Sequence, residues 1–375
     1  MSIECLPRKL FSYIDLFFSR KISCEKSGKP RIAVFRSGGL GDLVLLTSLL
    51  VSMRGIFKDS KISLICDESH GDIYNFIDEY VDAIVTFDGK SFRKNVLYRW
   101  KFLKLISACS FDIFLHTGIS RQQGDGDIIA RSSNAKEIIG YKPRPWHKCE
   151  KEISDRWFTR LIDGEFGEIH ELKRLKKFSD IFKVGDNISD APLPKLSVTK
   201  QKRDVFVIAI GASVGVREWP AENFGILSDY IHTKTGMTPV IVGTEKDIEL
   251  SRKLKMAATN VDFIDMCGKM CVADLIYAVA ESKLLLCNES APMHIGVAVG
   301  TPTVSIVSGG EYKNYCDYPL LDRKKLLVVS SEDSKCFNCG WDCIYKKNDG
   351  TPFPCLSSID PEYVIRKIED NNFFN

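Results

Sequence analysis

The chain has no apolar stretch long enough to span a bilayer. Its longest, Leu43 to Met53, falls well short of the roughly 20 residues a spanning helix needs. It has no low-complexity tract and no repeat at a solenoid period, which sets aside fibrous and repeat architectures. It has little net charge: 52 Lys and Arg stand against 49 Asp and Glu, a balance of +3. That excludes a protein built to neutralise nucleic-acid phosphates, while leaving room for an anionic substrate or a membrane surface. A cleavable leader is also missing, because the first apolar stretch is broken by charge and lacks a small-residue cleavage site. The 13 cysteines therefore read as reduced thiols or metal ligands of a cytoplasmic protein, not as disulfides.

What the chain does have is alternation. Residues 31–35 read as a fully apolar strand and 42–54 as a buried helix. Strands at 62–66, 83–87 and 111–116 follow, with helical stretches at 93–107 and 168–182. A turn-rich stretch, 185–194, precedes a second series. Its strands are expected at 204–210, 239–242, 261–264, 283–287 and 303–307, and its helices at 221–234, 245–257, 272–281 and 292–299. Such spacing points to parallel βαβ units, and 375 residues exceed one ordinary core. The expected organisation is α/β with two doubly wound domains. An arm covers 1–29, a first domain 30–184, a linker 185–203 and a second domain 204–358, and a helix within 359–375 has the option of crossing back to the first domain. Ligands of such sheets bind at the carboxyl ends of the strands.

Behind the first strand the chain reads Arg36-Ser-Gly-Gly-Leu-Gly-Asp42 and enters an apolar helix. Gly39 and Gly41 let backbone amides approach a ligand at a helix start that carries partial positive charge. The spacing is not G-x-G-x-x-G, and no acidic residue stands out at the end of the next strand, so a dinucleotide fingerprint fits poorly. Asp42 has two readings: a helix cap, or a general base at the carboxyl edge of the sheet.

Further on, the strand at 283–287 runs into Asn288-Glu-Ser-Ala-Pro-Met-His294 and a small-residue helix, then Gly300-Thr-Pro302. Pro292 suits a first helical turn. Ser290 is placed to cap that helix, whose remaining amides would form an anion site fit for a diphosphate. An ordinary capped helix is the plainer alternative, with His294 a structural histidine.

Taken together these stretches resemble glycosyltransferase family 9, the ADP-heptose-dependent heptosyltransferases. Its motifs are a Gly-Asp before an apolar helix and an Asp-Ser-Gly-Pro-x-His type stretch followed by Gly-Thr-Pro. Weaker matches are Gly211-Ala-Ser213 with Arg217-Glu-Trp-Pro220, Val242-Gly-Thr244-Glu245 and Cys267-Gly-Lys269, in the family's order from about residue 31 to 368. Here Glu289 replaces the usual Asp and Ala291 the usual Gly, crowding the expected diphosphate site.

The resemblance implies a GT-B fold, two Rossmann-like domains facing a central cleft. It also implies inversion without a catalytic metal, an ADP-heptose donor on the second domain and a glycan or glycolipid acceptor on the first. Asp42 would be the base and Arg217 the cation meeting the departing phosphate. Gly39, Gly41, Ser213, Thr244, Glu245, Glu289, Ser290, Ala291, Pro292 and His294 would line the nucleotide-sugar site. The acceptor would be a lipopolysaccharide core or a related surface glycan. Two other readings stay open: transfer to an autotransporter protein, and a non-catalytic nucleotide-sugar-binding subunit.

Four features remain. Asp125-Gly-Asp127 imitates a metal motif but, in a Gly/Gln loop with no strand before it, reads as a solvated turn. Arg121 and Arg131 are either acceptor contacts or exposed loop residues. Cys336, Cys339, Cys343 and Cys355, with Cys316 upstream, read as packing thiols or as a structural zinc or iron site without a catalytic role. In the arm, Leu10, Phe11, Ile14, Phe17 and Phe18 share one helical face flanked by Arg8, Lys9, Arg20 and Lys21. That face suits either the inner surface of the cytoplasmic membrane or packing onto protein.

Overall fold

The computed structural model describes residues 28–121, 123–142, 153–165, 167–183, 191–319, 321–331, 335–345 and 351–374. The arm's apolar face and the first part of the expected linker, 185–190, lie outside them. The chain divides into two compact units, with breaks at Gly167/Glu168, Glu171/Leu172 and Pro192/Leu193.

In the first unit β1 (Arg31–Phe35), β2 (Lys61–Asp67), β3 (Ala83–Phe87), β4 (Ile113–His116), β5 (Glu137–Tyr141) and β6 (Arg160–Ile162) form a six-stranded sheet in the order 3-2-1-4-5-6. The second holds β7 (Val205–Ala209), β8 (Thr238–Val242), β9 (Ile264–Asp265), β10 (Leu284–Asn288), β11 (Thr303–Ile306) and β12 (Leu326–Val329) in the order 12-11-10-7-8-9. Counted from β7, that is the first sheet's order read from the other edge. Every pairing is parallel. This is the dinucleotide-fold strand order, which reverses direction beside the first strand of each half. Because helices cover both faces, the inner strands carry apolar side chains on both sides: Ile32–Phe35 and Leu284–Cys287 are buried without alternation.

The α/β class holds, with local departures. Residues 93–107 are not one helix. Asn95 closes Gly89–Lys94 and opens Val96–Ala108, its side-chain Oδ1 accepting from the Tyr98 amide at 3.0 Å. The helix expected at 168–182 is Glu171–Asp180. β5, β6 and β12, of five, three and four residues, are strands that the sequence analysis does not anticipate. The helix Pro361–Asp370 belongs to the second unit, where Val364 and Ile368 join Phe224, Leu227 and Ile231 in one core. No described helix is long and apolar enough to cross a membrane.

Candidate active site

At the carboxyl end of β1 the backbone turns through Ser37–Gly39 into the helix Leu40–Ile56, and Arg36 is folded underneath, only 4 % exposed. Its guanidinium donates to the Thr117 carbonyl at 2.7 Å and to Asp42 Oδ1 at 2.5 Å. The other carboxylate oxygen of Asp42 accepts from the Gly39 amide at 3.2 Å, so the side chain caps its own helix. The carboxylate that caps the helix also stays 31 % exposed at the strand end. Gly38 is required beside it, since a Cβ there would lie 2.7 Å from Asp42 Oδ2. Gly39 occupies the N-cap position, and Gly41 lies within the first turn.

Beside this edge the structure overturns the solvated-turn reading of Asp125–Asp127. Asp127 is buried and bound by Arg121 through Nε at 3.1 Å and Nη2 at 3.0 Å. Arg121 also donates to Asp155 at 2.8 Å and to the Tyr141 carbonyl at 2.7 Å, and lies over the Phe158 ring. With its donors so committed it is a structural arginine, whereas Arg131 is exposed. His116, at the end of β4, is buried with neither ring nitrogen hydrogen-bonded, and burial pushes its pKa down to about 4. Gly126 leaves the space it needs: a Cβ there would sit 2.2 Å from His116 Nε2. That glycine between two acids was the available signal that the loop is packed.

In the second unit the ends of β7 and β10 are knotted by Asn288. Its Oδ1 accepts from the Trp219 amide at 2.9 Å, and its Nδ2 donates to the Ile210 carbonyl at 2.6 Å. This holds the turn Gly215–Arg217 next to Glu289. Arg217 donates to Ser213 Oγ at 2.5 Å and lies 4.5 Å over the Trp341 ring. Glu289 is only 6 % exposed and accepts from the Ser308 hydroxyl at 2.8 Å. Burial raises its pKa to about 7, against the opposing pull of the Ser308 hydrogen bond and the Arg217 charge.

The helix Ala291–Val299 begins immediately after, with Pro292 in its first turn and Gly300 closing it in the left-handed region. Ser290 occupies the N-cap, yet its side chain makes no cap hydrogen bond. The partial positive charge of that helix start is thus not offset by a capping side chain. His294 is buried, and its Nδ1 meets the Tyr318 hydroxyl at 2.6 Å. Tyr318 packs in turn against the His170 ring.

At the end of β8, Thr244 and Glu245 are exposed, and the Thr244 hydroxyl donates to Asp247 at 2.8 Å. Asp247 went unnoticed in the sequence, although Thr244-x-x-Asp247 has capping-box spacing. It is buried against Gly211 and Gly243, where added Cβ atoms would lie 2.5 and 2.8 Å from it.

Cys336, Cys339, Cys343 and Cys355 line one cavity of about 10 Å³ with Gly309, Gly310, Phe337, Trp341 and Phe353. Cys316 is not among the lining residues. Burial raises the pKa of Cys339 and Cys355, favouring thiols over thiolates. Among the described residues no group of three or more His, Cys, Asp or Glu side chains is placed to hold a metal ion.

Residues 179–342 match the model of glycosyltransferase family 9 (heptosyltransferase). The chain is 20 % identical to lipopolysaccharide heptosyltransferase 1 of Campylobacter coli over 355 residues, covering 91 % of this chain and 98 % of that one. Among solved structures, a family 9 glycosyltransferase of Veillonella parvula superposes with a TM-score of 0.72 at 19 % identity, covering 92 % and 98 % of the two chains. Escherichia coli heptosyltransferase WaaC with ADP-2-deoxy-2-fluoro heptose gives 0.65 at 13 %, covering 91 % and 99 %. The iron-containing dodecameric glycosyltransferase TibC of enterotoxigenic E. coli gives 0.55 at 12 %, covering 94 % and 78 %. With the ordered motifs on two sheets of one topology, the chain resembles glycosyltransferase family 9, the heptosyltransferase family, whose model its residues 179–342 match and whose solved members share its fold.

Proposed function

We propose that the chain transfers a heptose from ADP-heptose to a hydroxyl of a lipopolysaccharide core or related surface glycan, inverting the anomeric carbon and using no metal in the chemistry. The observation that carries this reading is the grouping of Arg217, Glu289 and the helix start at Ser290 at one edge of the second sheet. Two cationic features there, a guanidinium and a helix amino end, suit the charge that grows on a departing diphosphate. Ala291 and Pro292 form the first turn of that helix, and Ser213, Thr244 and Glu245 lie on the neighbouring strand ends facing solvent. The names of the Campylobacter relative and of the WaaC complex agree with this donor and acceptor.

Asp42 takes the proton of the acceptor hydroxyl as its oxygen attacks the anomeric carbon. The bond to the ADP oxygen breaks, and ADP leaves with the electron pair. Arg36 fixes the carboxylate in place, and Gly39 and Gly41 let a ligand approach the helix start. General-base assistance contributes typically ~10²- to 10⁴-fold. Asp42→Asn should therefore lose about that much transfer from ADP-heptose while binding ADP as before by calorimetry. Undiminished turnover removes Asp42 from this role, and no ADP binding by the unaltered protein removes the donor site. The proposed setting is the cytoplasm, at the inner face of the membrane that holds a lipid-linked acceptor. Every described cysteine is a free thiol, as a reducing compartment requires.

A second reading changes the acceptor to serine hydroxyls of an autotransporter protein and has Cys336, Cys339, Cys343 and Cys355 hold a structural zinc or iron. Their convergence on one cavity favours it, and soft thiolate ligands suit both metals. As placed, the thiols would have to close further around an ion. About one equivalent of zinc or iron in protein purified without chelator supports the site, and a metal-free preparation removes it.

A further inference from the structure

Arg217 was singled out for its charge, but an arginine with free rotors is a poor fixed electrostatic partner. Besides the nearby Ser213 hydroxyl, a second contact that holds it lies more than a hundred residues away, in the cysteine-rich segment. The Arg217 guanidinium carbon stands 4.5 Å above the centre of the Trp341 ring. Beneath, the ring is seated on Gly310, where a Cβ would lie 2.0 Å from Trp341 Cδ1, and Phe337 is seated likewise on Gly309, where one would lie 2.7 Å away. Backbone hydrogen bonds fasten the same seam, Asn338 N–H to the Gly309 carbonyl at 2.6 Å and Gly340 N–H to the Gly310 carbonyl at 2.8 Å. On the other side the Phe353 amide donates to the Val216 carbonyl at 2.9 Å, one residue before Arg217.

Trp341 itself has φ +62°, a left-handed conformation that a bulky residue adopts only when its surroundings impose it. Its Nε1–H is shielded from solvent without a hydrogen-bond partner. Fold stability does not account for both features, since an indole in a more relaxed backbone could bury the same area and satisfy its N–H. The position does deliver a flat aromatic face under Arg217. The loop it rests on is also the one whose Ser308 donates to Glu289.

We infer that Trp341 is a positioning residue for donor binding: its ring holds the Arg217 guanidinium in the orientation that meets the diphosphate of a nucleotide sugar. This rests on the donor-site reading of Arg217. A cation on an aromatic face is worth about a 2- to 30-fold change in an equilibrium constant, and that is the effect to look for.

The test is ADP calorimetry, with KM for ADP-heptose alongside, on Trp341→Leu, Trp341→Phe, Arg217→Ala and the Trp341→Leu/Arg217→Ala double variant. Trp341→Leu should weaken ADP roughly 2- to 30-fold and raise KM more than it lowers kcat, and Trp341→Phe should recover most of the loss. In the Arg217→Ala background Trp341→Leu should add nothing, because the residue it acts through is gone. Unchanged ADP binding in Trp341→Leu, with Arg217→Ala impaired, overturns the positioning role alone. So does a Trp341→Leu loss that persists undiminished without Arg217. Unchanged ADP binding in Arg217→Ala defeats the donor-site reading itself. If Trp341→Leu does not fold, Trp341→Phe serves: a smaller loss that vanishes without Arg217 supports the role, and no loss overturns it.

Discussion

The two sheets have one topology, yet their carboxyl edges are finished in opposite ways. On the first, charges are closed upon each other. Arg36 is committed to Asp42 and a carbonyl, and Arg121 to Asp127, Asp155 and a carbonyl. On the second, the Ser290 side chain leaves the helix start uncapped, Arg217 lies at the rim, and Glu289 is buried with a pKa lifted to about 7. The first edge is a mount for one carboxylate; the second is a set of groups that, in the function proposed above, the anionic donor would complete. Topology fixes where the strand ends lie, and the side chains decide what each edge does.

The largest way to break the contrast is to open the closed edge. Asp127→Ala leaves the buried Arg121 with Asp155 as its remaining carboxylate. Removing one partner of a buried pair typically costs about 3–5 kcal/mol, so denaturant unfolding should show a loss near the lower figure. ADP affinity, a property of the other edge, should stay unchanged.

Next come the opposite pH responses. His116 titrates near 6.5 when unfolded and near 4 when folded, so the native chain binds fewer protons between those values. Stability should fall as pH drops through that window, by up to about 3 kcal/mol from this residue. His116→Phe should reduce the slope, read from urea midpoints between pH 4 and 6.5. Glu289 has the reverse sign. Its folded pKa of about 7 exceeds the ordinary 4.5, so its contribution is lost as pH rises from 4.5 to 7.

A smaller effect follows for the ligand. Bound diphosphate favours the neutral carboxyl, so ADP affinity should weaken as pH rises through 7. Each unit by which ADP raises the Glu289 pKa is about tenfold in affinity. Glu289→Gln should flatten that dependence, and a curve of unchanged steepness would mean the proton sits elsewhere.

Much of this was legible beforehand where one residue type dictates one geometry. Apolar runs such as Ile32–Phe35 announced buried parallel strands, and Pro292 with Gly300 bracketed a helix that the structure reproduces at Ala291–Val299. Burial of charge was not legible. Asp127 and Arg121 lie in a polar, glycine-containing loop, and only the third dimension brings His116, Phe158 and Asp155 around them. Nor could periodicity choose a partner: Val364 and Ile368 mark a helix face, but the core they fill is set by Phe224 and Leu227 far back in the chain. The cysteines were visible as a cluster, whereas the link from their segment to Arg217 depends on a ring placement that spacing does not encode.

The seat beneath Trp341 has a genealogical consequence. A hydrogen is all that Gly310 can present to the indole, so the two positions are locked as a pair. A descendant that loses the tryptophan is free to fill the glycine, and one that fills the glycine must first surrender the tryptophan. Across diverged copies of this protein the two should vary in concert, and a lineage carrying a bulky residue at both would have rebuilt the whole seam.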